Sequence, residues 1–122
     1  MSLVLIIEDS PTDALVYQRA LEAAGHRVLH SVSAEAGMPL AKNELPDVIL
    51  MDIVMPGVNG FQATRELRRQ KDTQHIPIIM LSTKSQETDR IWALRQGASD
   101  YLIKPVPRPA LLEAVQAALV AA

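Results

Sequence analysis

Val48-Ile49-Leu50-Met51-Asp52-Ile53-Val54-Met55-Pro56-Gly57 sets four uninterrupted apolar side chains directly before an acid, with proline and glycine close behind. An apolar run without alternation suits a strand covered on both faces, as in a parallel sheet. Leu3–Ile7 on one side and Ile76–Leu81 on the other have the same character. Arg27–Val32 alternates in part, and Tyr101–Ile103 is short, so these two are expected at the sheet edges.

The segments between the runs carry helical spacing. Ser10-Pro11-Thr12-Asp13 reads as an N-cap, a proline at the first helical position and a short capping-box variant. Ala14, Tyr17, Leu21 and Ala24 follow at intervals of three and four, and Gly25 suits the position after the helix. Ser33 is expected to cap a second helix with Ala36, Gly37, Leu40 and Ala41 inward. Asn59 is expected to cap a third over 60–69. A fourth helix is expected from Lys84 or Ser85 to Gly97 with Ile91 and Leu94 inward. A fifth opens at Pro107–Pro109 with Leu111, Leu112, Val115 and Leu119 as its stripe.

Five strands and five helices in strict alternation imply right-handed crossovers and an open sheet. The expected fold is α/β, a doubly wound (βα)5 domain with a five-stranded parallel sheet in the flavodoxin-like order 2-1-3-4-5. Its functional crevice lies beyond the carboxyl ends of the first and third strands.

Composition narrows the function. The chain has 122 residues, 48% hydrophobic and 21% charged, which suits one domain over 1–122 that buries about two-thirds of its surface. Without cysteine, disulfides, thiol nucleophiles and cysteine–zinc sites are excluded. His26, His30 and His75 are scattered and suggest no metal site. Lys plus Arg is 12 against 14 for Asp plus Glu, and there are few aromatics, so no nucleic-acid binding is expected. No run is long enough to span a membrane and no signal peptide is visible, so the expected location is the cytoplasm.

The residues after the strands carry the chemistry. Glu8 and Asp9 follow the first run, Asp52 ends the third, Ser82 and Thr83 follow the fourth, and Lys104-Pro105 follows the fifth. Singly, each has a bland reading as a cap or a turn. Jointly, three carboxylates on one rim repel by about 4 kcal/mol per pair at an effective dielectric near 20, and they call for a cation. Oxygen ligands select Mg²⁺, with Mn²⁺ as the alternative ion. Asp52 lies deepest and is the candidate nucleophile toward phosphorus. Glu8 and Asp9 are better placed to hold metal, and Lys104 and a hydroxyl would neutralise phosphoryl oxygens. No residue is positioned as a general base for fast hydrolysis.

Glu8-Asp9-Ser10, Asp52-Ile53-Val54-Met55-Pro56-Gly57, Leu81-Ser82-Thr83, Gly97-Ala98-Ser99-Asp100-Tyr101 and Lys104-Pro105, taken together, resemble the CheY-like receiver domain of two-component response regulators, over the whole chain. Met51–Gly57, Gly60–Thr64 and Gln86–Asp89 are similar to stand-alone regulators of type IV pilus twitching motility, the PilH type. The resemblance implies that a histidine kinase phosphorylates Asp52. It implies that Glu8, Asp9, Asp52 and the backbone carbonyl of Val54 bind Mg²⁺, and that Ser82 and Lys104 contact the phosphoryl group. It also implies that Tyr101 moves inward as a switch with Ser82, and that Pro105 follows a cis bond. Such a domain is a phosphoacceptor with slow autodephosphorylation, not a turnover enzyme.

The fourth helix, fifth strand and fifth helix are the implied output face, where Trp92 with Arg90, Arg95, Gln96 and Tyr101 forms a candidate partner surface. The chain ends at Ala122 after the fifth helix, so no output domain is expected; a monomer is the expected state. Output is then either a phosphorylation-dependent protein contact or a phosphate sink for a shared kinase. Three competing readings are disfavoured. An FMN site would meet repulsion from Glu8, Asp9 and Asp13; an aspartyl phosphatase would want an acid where Val54 stands; a non-phosphorylated interaction module would lack one of the site residues.

Overall fold

The computed structural model describes residues 2–121. Its elements are β1 (Leu3–Ile7), α1 (Pro11–Ala23), β2 (Arg27–Ser31), α2 (Ala34–Glu44), β3 (Val48–Asp52), α3 (Gly60–Arg69), β4 (Ile78–Ser82), α4 (Glu87–Arg95), β5 (Asp100–Ile103) and α5 (Arg108–Ala121). All strand pairings are parallel and the order is β2-β1-β3-β4-β5, the expected flavodoxin-like order, with β2 and β5 at the edges.

The period-two geometry of a strand splits each central run between two cores. Leu5, Ile7, Ile49, Met51, Ile78 and Met80 face the layer that holds α2, α3 and α4. Val4, Ile6, Val48, Leu50, Ile79 and Leu81 face α1 and α5, where they meet Ala14, Tyr17, Leu21, Leu111 and Val115. Both faces are covered, which is why these strands read as continuous apolar runs.

Helix starts follow the capping residues at three places. Ser10 Oγ accepts from Asp13 N–H at 3.3 Å and Ser33 Oγ from Ala36 N–H at 3.1 Å. Asn59 and Gln62 bond reciprocally, at 2.9 and 3.0 Å, in a complete capping box. The box expected at Ser10 is only half formed: Ser10 N–H donates to Glu8 Oε2 at 3.2 Å, and the Asp13 carboxylate goes elsewhere.

Three inward-facing assignments are corrected. In α1 the buried stripe uses Ala20, while Ala24 is the exposed cap. In α2 it uses Ala34 instead of Ala36. In α4, which begins at Glu87 and not at Lys84 or Ser85, only Ala93 is buried; Ile91 and Leu94 are 42% and 41% exposed. The small Ala93 lets α4 lie close over the sheet, and that rotation turns the larger apolar side chains outward.

Strand register positions the site. Ile7 pairs with Met51, which sets Glu8 beside Asp52 at the ends of β1 and β3. Asp52 pairs with Leu81 and Ser82 with Ile103, which brings Ser82 and Lys104 to the same rim. Gly60 lets α3 start directly against this rim: a Cβ there would lie 2.5 Å from the Asp52 carbonyl oxygen and 2.8 Å from Ile53 Cα. Among the described residues, no helix is long and apolar enough to cross a membrane.

Candidate functional site

A cleft of about 200 Å³ opens at the carboxyl ends of β1, β3 and β4, lined by Glu8, Asp9, Ser10, Asp52, Val54, Ser82, Thr83 and Lys104. Asp52, Glu8 and Ser82 are buried and Asp9 is exposed. Asp9 and Val54 belong to the loops that follow the strands, so they meet the cleft from its open side.

Oxygens of Glu8, Asp9 and Asp52 all lie within 4.8 Å of one another. This all-oxygen donor set, without a nitrogen or sulfur ligand, fits a hard divalent ion in its chemistry. Glu8 is already engaged in part, because its Oε1 accepts from Lys104 and its Oε2 from Ser10 N–H.

Lys104 Nζ lies 2.6 Å from Glu8 Oε1, 3.1 Å from Asp52 Oδ1 and 3.2 Å from Asp13 Oδ2. Desolvation pulls its pKa down, but the Glu8 and Asp52 carboxylates outweigh that and hold it above the ordinary lysine value. Burial pushes Asp52 up to about 7, against the pull of Lys104 and with the further push of the Glu8 charge. A carboxylate of that kind is poorly solvated when ionised, which suits a nucleophile whose charge is to be quenched by bond formation. The Lys104–Pro105 peptide bond is cis.

Tyr101 stands apart from the cleft. As a member of the candidate partner surface it is corrected: the residue is 4% exposed and packs into the core under α4, in the inward position that the resemblance gives to the switch. Its hydroxyl donates to the Lys84 carbonyl at 2.7 Å, which satisfies the polar end of a buried ring. Lys84 N–H in turn donates to Ser82 Oγ at 3.1 Å. The backbone of Lys84 thus links Ser82 to Tyr101, a connection that side-chain reasoning does not reach. The structure also adds His30, whose Nε2 lies 2.8 Å from the Glu8 backbone oxygen, and Asp13 on Lys104. Asp13 already reads in the sequence as a charge beside Glu8 and Asp9 at the first loop; its contact with Lys104 is what only the structure adds.

Comparison with known proteins shows the family and the fold. The response regulator receiver domain family matches residues 4–116. The protein PilH of Pseudomonas aeruginosa is 51% identical over 119 residues, covering 98% of each chain. Chemotaxis protein CheY4 of Vibrio cholerae superposes with a TM-score of 0.92 at 28% identity, covering 98% of this chain and 99% of that one. The receiver domain of sensor histidine kinase PA1611 from Pseudomonas aeruginosa superposes with a TM-score of 0.90 at 33% identity and 98% coverage of both; in that structure a magnesium ion is coordinated in the active site cleft. Other curated relatives are longer, and the chain spans about half of their length or less.

Proposed function

The chain belongs to the response regulator receiver domain family, and from that premise we propose that Asp52 accepts a phosphoryl group from a histidine kinase. One observation carries the assignment: Asp52 is buried at the end of β3, with Lys104 Nζ 3.1 Å away and Glu8 and Asp9 oxygens close enough to share a cation. An Asp52 oxygen attacks phosphorus as the phosphohistidine N–P bond breaks, leaving an acyl phosphate on the chain and imidazole on the kinase. Lys104 donates to a phosphoryl oxygen, and the Ser82 hydroxyl is near enough to the rim to donate to another.

Glu8, Asp9, Asp52 and the Val54 carbonyl are the proposed holders of Mg²⁺ or Mn²⁺. The ion supplies charge neutralisation for the transferring group. No acid or amide stands at Val54 to orient water, which favours a long-lived phosphoryl group and a signalling role over enzymatic turnover.

Output is proposed to run through protein contact at α4, β5 and α5. Ile91, Trp92, Leu94 and Ile103 are exposed on that side, and an apolar cluster of this kind suits a partner. The identity to PilH supports a place in type IV pilus motility, in the cytoplasm. Acetyl phosphate with Mg²⁺ is expected to add one phosphoryl mass that hydroxylamine removes. Full labelling of Asp52→Asn would overturn the assignment.

A further inference from the structure

An ammonium has three N–H donors. Lys104 gives two of them, in hydrogen-bond geometry, to Glu8 Oε1 and Asp13 Oδ2, and approaches Asp52 as an ion pair. Glu8 and Asp13 therefore act as two anchors that leave the third donor for the Asp52 side of the cleft.

Asp13 makes no capping-box bond to its helix start. It occupies the capping-box position of α1, yet Ser10 N–H is satisfied by Glu8 Oε2, and the Asp13 carboxylate turns away from the backbone to Lys104. A second cleft of about 310 Å³ adjoins the first, with Lys104 and Thr83 as shared walls; Asp13, whose side chain is 44% exposed, lines only this second cleft, together with Val16, Tyr17 and Pro105. Without an anchor at 13, the flexible Lys104 stem has room to turn into that space.

We propose that Asp13 is a positioning residue for phosphoryl transfer: together with Glu8 it fixes the Lys104 ammonium on the wall between the two clefts, within reach of Asp52. The inference rests on the reading of Asp52 as phosphoacceptor. In the reaction with acetyl phosphate, an Asp52 oxygen forms its bond to phosphorus as the bond from phosphorus to the acetyl oxygen breaks and acetate leaves. No proton has to move. Lys104 must meet the phosphoryl oxygens in that transition state, so its placement affects the maximal rate.

The test is the rate of phosphorylation of the full chain by acetyl phosphate at saturating Mg²⁺. Asp13→Ala is expected to lower the maximal rate roughly 3- to 30-fold, as for other small misplacements of a reacting group. Asp13→Asn is expected to retain most of it, because the amide oxygen still accepts from Lys104. In a Lys104→Ala background, Asp13→Ala is expected to add no further loss, since its effect passes through Lys104. A structural role in α1 would instead give the same loss in both backgrounds, and that result overturns the proposal. A rate in Asp13→Ala equal to or above wild type overturns it as well, and would mark Asp13 as mere repulsion of the anionic donor. If wild type itself takes no phosphate, the phosphoacceptor reading falls and this inference with it; a labelled wild type with an indifferent Asp13→Ala defeats the inference alone.

Discussion

Burial of Asp52 next to Glu8 disfavours its ionised form, and its pKa rises from an ordinary carboxylate value of 3.8 to about 7. The native state therefore holds this proton more tightly than the unfolded chain does. Asp52 makes no unfavourable contribution below about pH 4; between about pH 4 and 7 the native state loses stability as pH rises. The matching effect of Lys104, whose raised pKa stabilises the native state until that lysine deprotonates, lies above about pH 10 and outside this window. Denaturant titrations without divalent ions are expected to give a lower midpoint at pH 8 than at pH 5, with the slope largely removed in Asp52→Asn and reduced by saturating Mg²⁺. An equal slope in the variant would mean that another group carries it. The convergence of Glu8, Asp9, Asp52 and Lys104 on one rim was legible in sequence because strand ends dictate where these side chains go. The contact of Asp13 with Lys104 was not, because a helix-start acid has a local partner by default, and only the Glu8 contact to Ser10 N–H displaces it.

At the scale of elements, strands were more legible than helix faces. A strand buried on both sides needs apolar residues throughout, whereas a helix face depends on which neighbour sets its height. In α4 the deciding residue is Ala93, the smallest member of the stretch Ile91-Trp92-Ala93-Leu94, and no periodicity marks it. What fixes the α4 end is equally hard to read. Arg68 of α3 donates from Nε to the Gly97 carbonyl at 2.9 Å, and from one Nη to the Gln74 and Ile76 carbonyls at 3.1 and 2.6 Å. Gly97 has φ of +109°, and the Arg68 stem lies where its Cβ would be. One guanidinium thus ties α3, the approach to β4 and the turn after α4. Its burial lowers its pKa, and carbonyl oxygens take the place of solvent. Arg68→Ala is expected to cost about 2–4 kcal/mol in urea unfolding, because charged hydrogen bonds are lost and part-buried carbonyls are left bare. Arg68→Lys is expected to recover less than half, since a lysine lacks the planar fork. A loss under about 0.5 kcal/mol in Arg68→Ala would show that water replaces the clamp.

Across the whole molecule, the cleft and the α4–β5–α5 side are joined by a short covalent and hydrogen-bonded path. Ser82 lines the cleft, its Oγ accepts from Lys84 N–H, and the Lys84 carbonyl holds the Tyr101 hydroxyl under α4. The ring is already inward here, so phosphorylation is expected to lock this arrangement, not to create it. A phosphoryl oxygen offers Ser82 a charge-assisted hydrogen bond of roughly 1.5–3 kcal/mol. The hydroxyl can donate to phosphate while it still accepts from Lys84, so the gain stiffens the loop that holds Tyr101. Spent wholly on one of two states, that energy shifts their ratio about 10- to 100-fold. Ile91, Trp92 and Leu94 are carried by α4, and Phe61 of α3 packs edge-on against Trp92 with ring centres 6.5 Å apart, so a fixed loop also fixes the apolar surface. Affinity for the output partner is therefore expected to rise about 10- to 100-fold with a beryllofluoride phosphoryl mimic. Ser82→Ala removes the donor and is expected to abolish most of that gain, and Tyr101→Phe, which loses the bond to Lys84, is expected to weaken it with the cleft intact. A full gain in both variants, measured by titration calorimetry, would mean that the signal leaves the cleft by another path, such as the Val54 loop beside Asp52.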